Sequence, residues 1–181
     1  DEYITLPLKS GSDFLDVCER ELAASFEEDR KKLLRKVMQS YQKAPQFESG
    51  YELLTGIVNY SSNNLFQFLY HSISSVSDYL GISTKLLVSS SIAADHSLKS
   101  QDRVISICKA LQATVYINPP GGVDLYSPEV FQDNQIELRF LQTGGIQYPQ
   151  FNHEFISNLS ILDVIMFNSR EQIHSYLKAA V

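Results

Sequence analysis

Cysteine is scarce in this 181-residue chain, which has only Cys18 and Cys108. Two thiols in helix-like surroundings exclude a disulfide framework and read as small buried side chains of a protein kept in a reducing compartment. Basic charge is also short, with 15 Lys and Arg against 21 Asp and Glu and a net charge of −6. That balance excludes a surface built to lie along phosphate backbones, so nucleic acid is not an expected partner. The densest basic run, Arg30 to Lys32 with Arg35 and Lys36, follows Glu27-Glu28-Asp29 and reads as the solvated face of a helix. No apolar run is long enough to span a bilayer, and the first residues lack the basic start and apolar core of a secretion signal. A cytoplasmic protein without membrane insertion is expected. With no initiating Met, a fragment or a processed chain is the expectation.

Several motifs are missing as well. There is no Gly-x-Ser-x-Gly elbow, no Gly-Lys-Ser/Thr phosphate loop and no Gly-x-Gly-x-x-Gly fingerprint, which removes the simplest hydrolase, NTPase and dinucleotide assignments. His71, His96, His153 and His174 are widely spaced, so no metal site is expected, and no residue pattern names a cofactor.

What is present is an ordinary globular composition, 44% hydrophobic and 20% charged, long enough for one domain with a core of its own. Tyr3 to Leu8 reads as a short edge strand. Ser25 with Glu28 forms a capping-box pattern ahead of a helix whose apolar face carries Phe26, Leu33, Leu34, Val37, Met38 and Tyr41,. Helices are predicted over 47–59 and from Asn63 or Asn64 to Leu80, stopped by Gly81. Phe66, Phe68, Tyr70 and Tyr79 fall in their apolar pattern and read as core.

The second half changes rhythm. Strands are predicted over 84–88, 114–118 and 136–141, with a helix over 100–111 and a short one opened by Ser127-Pro128. Helices close the chain over 159–167 and after the capping box Ser169 to Gln172. This alternation predicts an α/β fold, a three-layer architecture with a mostly parallel sheet and a helix-rich first half. The organisation expected is a single domain over 1–181, with a helical subregion over about 25–80, a βαβ-type core over about 84–145 and C-terminal helices over about 155–180.

Ligands of a parallel sheet bind outside the carboxyl ends of its strands. Three loops are expected there: Ser89-Ser90-Ser91, Asn118 to Gly122, and Thr143 to Tyr148. Paired Gly121 and Gly122 allow close approach of an anion to backbone N–H groups. Arg103 supplies charge for a phosphate, against the plainer reading of serine caps and a solvated Arg. Asp95-His96 and His153-Glu154 are candidate acid–base pairs, and Asp163 either takes part in proton transfer or caps backbone groups.

Six blocks in order carry a family resemblance: Tyr41-Gln42-Lys43-Ala44-Pro45-Gln46-Phe47; Ser89-Ser90-Ser91; Arg103 to Lys109; Tyr116-Ile117-Asn118-Pro119-Pro120-Gly121-Gly122 with Leu125-Tyr126; Gln147 to Phe151; and Asn158 to Asp163. Together they resemble the WbqC-like protein family over essentially the whole chain. The resemblance implies a bacterial cytoplasmic transferase of surface-polysaccharide (O-antigen) biosynthesis. It would act on a nucleotide-sugar or other phosphate-bearing small molecule, including acyl or aminoacyl transfer to an amino sugar. A non-catalytic ligand-binding or scaffold protein of the same pathway is the competing reading. Family members usually begin with a His-Gln-Pro-like segment followed by aromatic and Gly residues, which this sequence does not contain. On this reading His153 and Asp163 are the proton-transfer candidates. Ser89, Ser90, Ser91, Arg103, Asn118, Gly121 and Gly122 bind the phosphate-bearing ligand, while Tyr116, Tyr126, Tyr148 and Gln150 position the sugar.

Overall fold

Acids before bases favour a helix, and helix α1 (Phe26–Tyr41) is built that way,. Its basic run is held in i,i+3 ion pairs: Arg30 with Glu27, Lys31 with Glu28 at 3.1 Å and Lys32 with Asp29 at 3.0 Å. That is the solvated face the charge order predicts. The computed structural model describes residues 3–142, 145–152 and 154–179, which fall into two compact units.

The first unit comprises residues up to Thr84 together with those from Ile146 on. It contains α1, α2 (Phe47–Val58), α3 (Leu65–Tyr79), α6 (Ile161–Phe167) and α7 (Arg170–Ala179). Phe26 meets Phe68 edge-on at 5.6 Å, beside Leu22, Val58 and Leu65. Met166 is fully buried against Val37 and Ala44. A Cβ on Gly50 would sit 3.0 Å from the Met166 sulfur, so the glycine is what lets α6 lie close to α2,. Leu80, Ile165 and Ile173 fill a further cluster. Asn64 caps α3 by accepting from the Gln67 N–H at 3.1 Å, and Ser169 and Gln172 form the expected reciprocal box at the start of α7,. Gly81 ends α3 at φ +66°.

The second unit, Lys85–Gly145, contains α4 (Ser100–Ala110), β1 (Val115–Asn118), α5 (Pro128–Asp133) and β2 (Glu137–Phe140). β1 and β2 pair in parallel, with Val115 opposite Glu137 and Asn118 opposite Phe140. Phe131 is completely buried between them and α4, with Ile105, Cys108 and Ile136. Ser127 caps α5 by accepting from the Val130 N–H, with Pro128 at the first turn,.

The α/β class holds and the sheet among the described residues is parallel, as the alternation predicts, but with two strands it does not establish a three-layer architecture. Residues 84–88 form no strand among the described residues, and Leu86 and Leu87 are exposed. Tyr3 to Leu8 makes only the isolated antiparallel bridge Leu8–Leu22. Ser25 is helical and offers no side-chain cap. Cys18 is exposed on a 3₁₀ turn rather than buried, and Tyr70 faces solvent at 40% exposure, so of the four ring positions Phe68 is the fully buried one.

Candidate functional site

A buried carboxylate organises the first unit. Asp163 stands in the first turn of α6, which begins where Ser160 accepts from the Leu162 N–H at 3.2 Å. Only 3% of Asp163 is exposed, a costly position for a carboxylate unless it is hydrogen-bonded. Three side chains supply those bonds. The Tyr41 hydroxyl at the end of α1 donates to Oδ1 at 2.8 Å. The Tyr148 hydroxyl and the Gln150 Nε2 each donate to Oδ2 at 2.7 Å. Bonds this short to a carboxyl group are the strong kind.

Gln150 also brackets its own loop. Its Oε1 accepts from the Ile156 N–H at 2.7 Å, and its Nε2 donates to the Ile156 carbonyl at 3.1 Å. A wall of rings surrounds the carboxylate: Phe167 lies 6.0 Å from Tyr41, 6.3 Å from Tyr148 and 4.8 Å, edge-on, from Phe151. Burial first, and then the Asp163 acceptor, push the Tyr41 and Tyr148 hydroxyls well above the ordinary phenol range,.

These side chains adjoin a cavity of about 430 Å³, within the range of small-molecule sites. Tyr41, Asp163 and Gln150 line it together with Phe151, and Lys36, Ser40 and Glu154 add polar groups. Two carboxylates and one ammonium make its lining net negative. The Tyr41 hydroxyl spends its proton on Asp163, so its oxygen lone pairs are what it presents to a ligand donor.

The raised phenols carry a pH prediction. The folded state keeps both protons where the unfolded chain loses them near pH 10, so stability is full below that pH and falls as pH rises toward the folded values,. The expected loss at pH 11 is roughly 1–2 kcal/mol from the pair, with solvent screening trimming the share of the half-buried Tyr41. Urea unfolding at pH 8 and pH 11 checks it. The drop should shrink in a Tyr41→Phe/Tyr148→Phe double variant; an equal drop in both proteins would place the titration elsewhere, Tyr116 of the second unit contributing with the same sign.

Of the sequence candidates, Tyr148, Gln150 and Asp163 come together in this network, while His153 lies outside the described residues, as do Thr143 and Gly144 of the third loop. Glu154, also in the first unit, lines the same cavity, and Ser89 to Ser91, Asp95, His96, Arg103, Tyr116, Asn118, Gly121, Gly122 and Tyr126 belong to the second unit. There Tyr116 donates to Asn118 Oδ1 at 3.1 Å and meets the Tyr126 ring edge-on at 5.8 Å. Burial and the Tyr126 hydroxyl push Tyr116 up to about 12.

A Cβ on Gly122 would run into the Asn118 side-chain amide and displace it, whereas Gly121 is open. The Gly122 N–H is already spent on the Pro119 carbonyl at 3.1 Å, so it is not available to an anion. Ser89 to Ser91 form an exposed 3₁₀ turn, not the end of a strand, and no hydrogen bond joins them to the half-buried Arg103. Asp95 accepts from the Ser97 N–H and hydroxyl while His96 Nε2 lies 2.9 Å from the Ile92 carbonyl, so they are not a hydrogen-bonded pair.

The sequence reading treated Tyr41 as helix core and Lys36 as solvated face, and it did not single out Phe151 for the site. A hydroxyl on the last position of an apolar stripe was the available signal for Tyr41. Among the described residues no group of three or more His, Cys, Asp or Glu is gathered closely enough to hold a metal ion, and no helix is long and apolar enough to cross a membrane. A family model described as the WbqC-like protein family matches residues 1–175. No curated protein and no solved structure matches the chain.

Proposed function

The chain belongs to the WbqC-like protein family, and from that premise we propose a transferase of surface-glycan biosynthesis whose acceptor, an amino sugar, binds in the Asp163 cavity. The observation that carries this is the buried Asp163 carboxylate, bonded to Tyr41, Tyr148 and Gln150 and forming part of the lining of a net-negative cavity. Such a lining favours hydroxyl and ammonium donors over phosphate. The rings of Tyr41, Phe151 and Phe167 suit a cationic amine or the apolar face of a sugar,.

Asp163 acts as a positioning residue, fixing the Tyr41 oxygen so that it accepts from the ligand. In the second unit, a phosphate-bearing group falls by charge to Arg103, with the hydroxyls of Ser89 to Ser91 as candidate hydrogen-bond partners.

Titration calorimetry with glucosamine and glucose tests the reading. Glucosamine should bind more tightly than glucose, and Tyr41→Phe should weaken it about tenfold, the worth of one good hydrogen bond. Equal affinity for the two sugars, or no change in the variant, contradicts it. The three internal donors already on Asp163 favour the second reading, a non-catalytic binding protein. Binding without turnover of any activated acyl or sugar donor would select that one.

A further inference from the structure

A second cavity of about 340 Å³ adjoins the first, the two sharing Ile4, Ser160 and Leu162 in their linings. Its remaining walls are mostly aliphatic, with Leu53 and Ile57 from α2, Ile73 and Val76 from α3, and Ile161 and Ile165 from α6. No aromatic ring is present to stack a planar group. Three hydroxyls interrupt that lining: Ser72 donates to the Leu69 carbonyl at 2.7 Å, Ser160 accepts from the Leu162 N–H in capping α6, and Ser77 adds the third. Ile73 is 54% exposed and Ile161 43% exposed, an apolar lining left open to water in a concave site.

We propose that this cavity takes an unbranched hydrocarbon chain carried by the ligand whose polar head occupies the Asp163 cavity. A flexible aliphatic tail fits walls that offer mostly apolar contact area, and the residues common to both linings, Ile4, Ser160 and Leu162, place side by side the two chambers that the proposed ligand spans,. The inference rests on the reading of the Asp163 cavity as a sugar site and narrows the ligand class to amphipathic, alkyl- or acyl-bearing sugars.

Calorimetry with n-alkyl glucosaminides from methyl to octyl, kept below their micelle concentrations, separates tail from head. Affinity should rise about fourfold per methylene until the cavity is filled. In Ile73→Glu that rise should vanish while the methyl glycoside binds as before. A flat series in the wild type, or an unchanged rise in Ile73→Glu, overturns the proposal. A rise with chain length that Tyr41→Phe leaves untouched for the methyl glycoside as well overturns the sugar reading while leaving the hydrocarbon cavity standing.

Discussion

Asp163→Ala is expected to destabilise the protein by ~3–5 kcal/mol, because it removes one acceptor from three donors at once. Each donor left buried without a partner costs about 1–3 kcal/mol, and water reaching the Tyr41 side of the cavity keeps the sum below the simple total. Tyr148 and Gln150 are 8% and 7% exposed, so their donors have least access to replacement water. Asp163→Asn keeps the shape but places an NH₂ donor against converging donors, and about 2 kcal/mol is expected. Urea unfolding measures both. A loss under 1 kcal/mol for the alanine variant would mean that the carboxylate is not the hub of this network.

In the second unit the largest effect belongs to Phe131→Ala, at about 3–5 kcal/mol. Phe131 is 0% exposed and lies 5.6 Å from Tyr116 in a stacked pair and 5.8 Å from Tyr126 edge-on. Removing its ring leaves a void lined by those two residues, Ile105 and Ile136. Relaxation of the two-stranded sheet offsets part of the cost. Phe131→Leu keeps more volume and should lose less than half as much. The same urea measurement checks the pair, and equal losses for Ala and Leu would show that the site tolerates no reshaping at all.

Local signals were legible where they act locally. Asn64, Ser127 and Ser169 cap the helices they precede, and Gly81 closes α3 at positive φ, because these are contacts within one turn,. Gln112, where a glycine would have ended α4 more easily, adopts φ +54°, and the Ala113 N–H bonds to the Cys108 carbonyl as in a glycine-terminated helix,.

The sheet was less legible. Residues 84–88 carry strand-forming side chains, but a strand exists only where a partner lies beside it, and that is a property of the whole chain. The site divides the same way. Asp163, Tyr148 and Gln150 sit close in sequence and are all site candidates there, though in different roles: Asp163 beside His153 for proton transfer, Tyr148 and Gln150 beside Tyr116 and Tyr126 for the sugar. Tyr41 lies 122 positions from the carboxylate it bonds, and only the packing of α1 against the rest of its unit brings it there.

The most direct test of the amino-sugar site is a backbone amide NMR titration of the labelled protein with glucosamine. The account predicts saturable shifts in the segments that carry Lys36 to Tyr41, Gln150 and Phe151, and Ser160 to Asp163, weakened in Tyr41→Phe. Shifts confined to residues 116–126 of the second unit, or none at all, would contradict it.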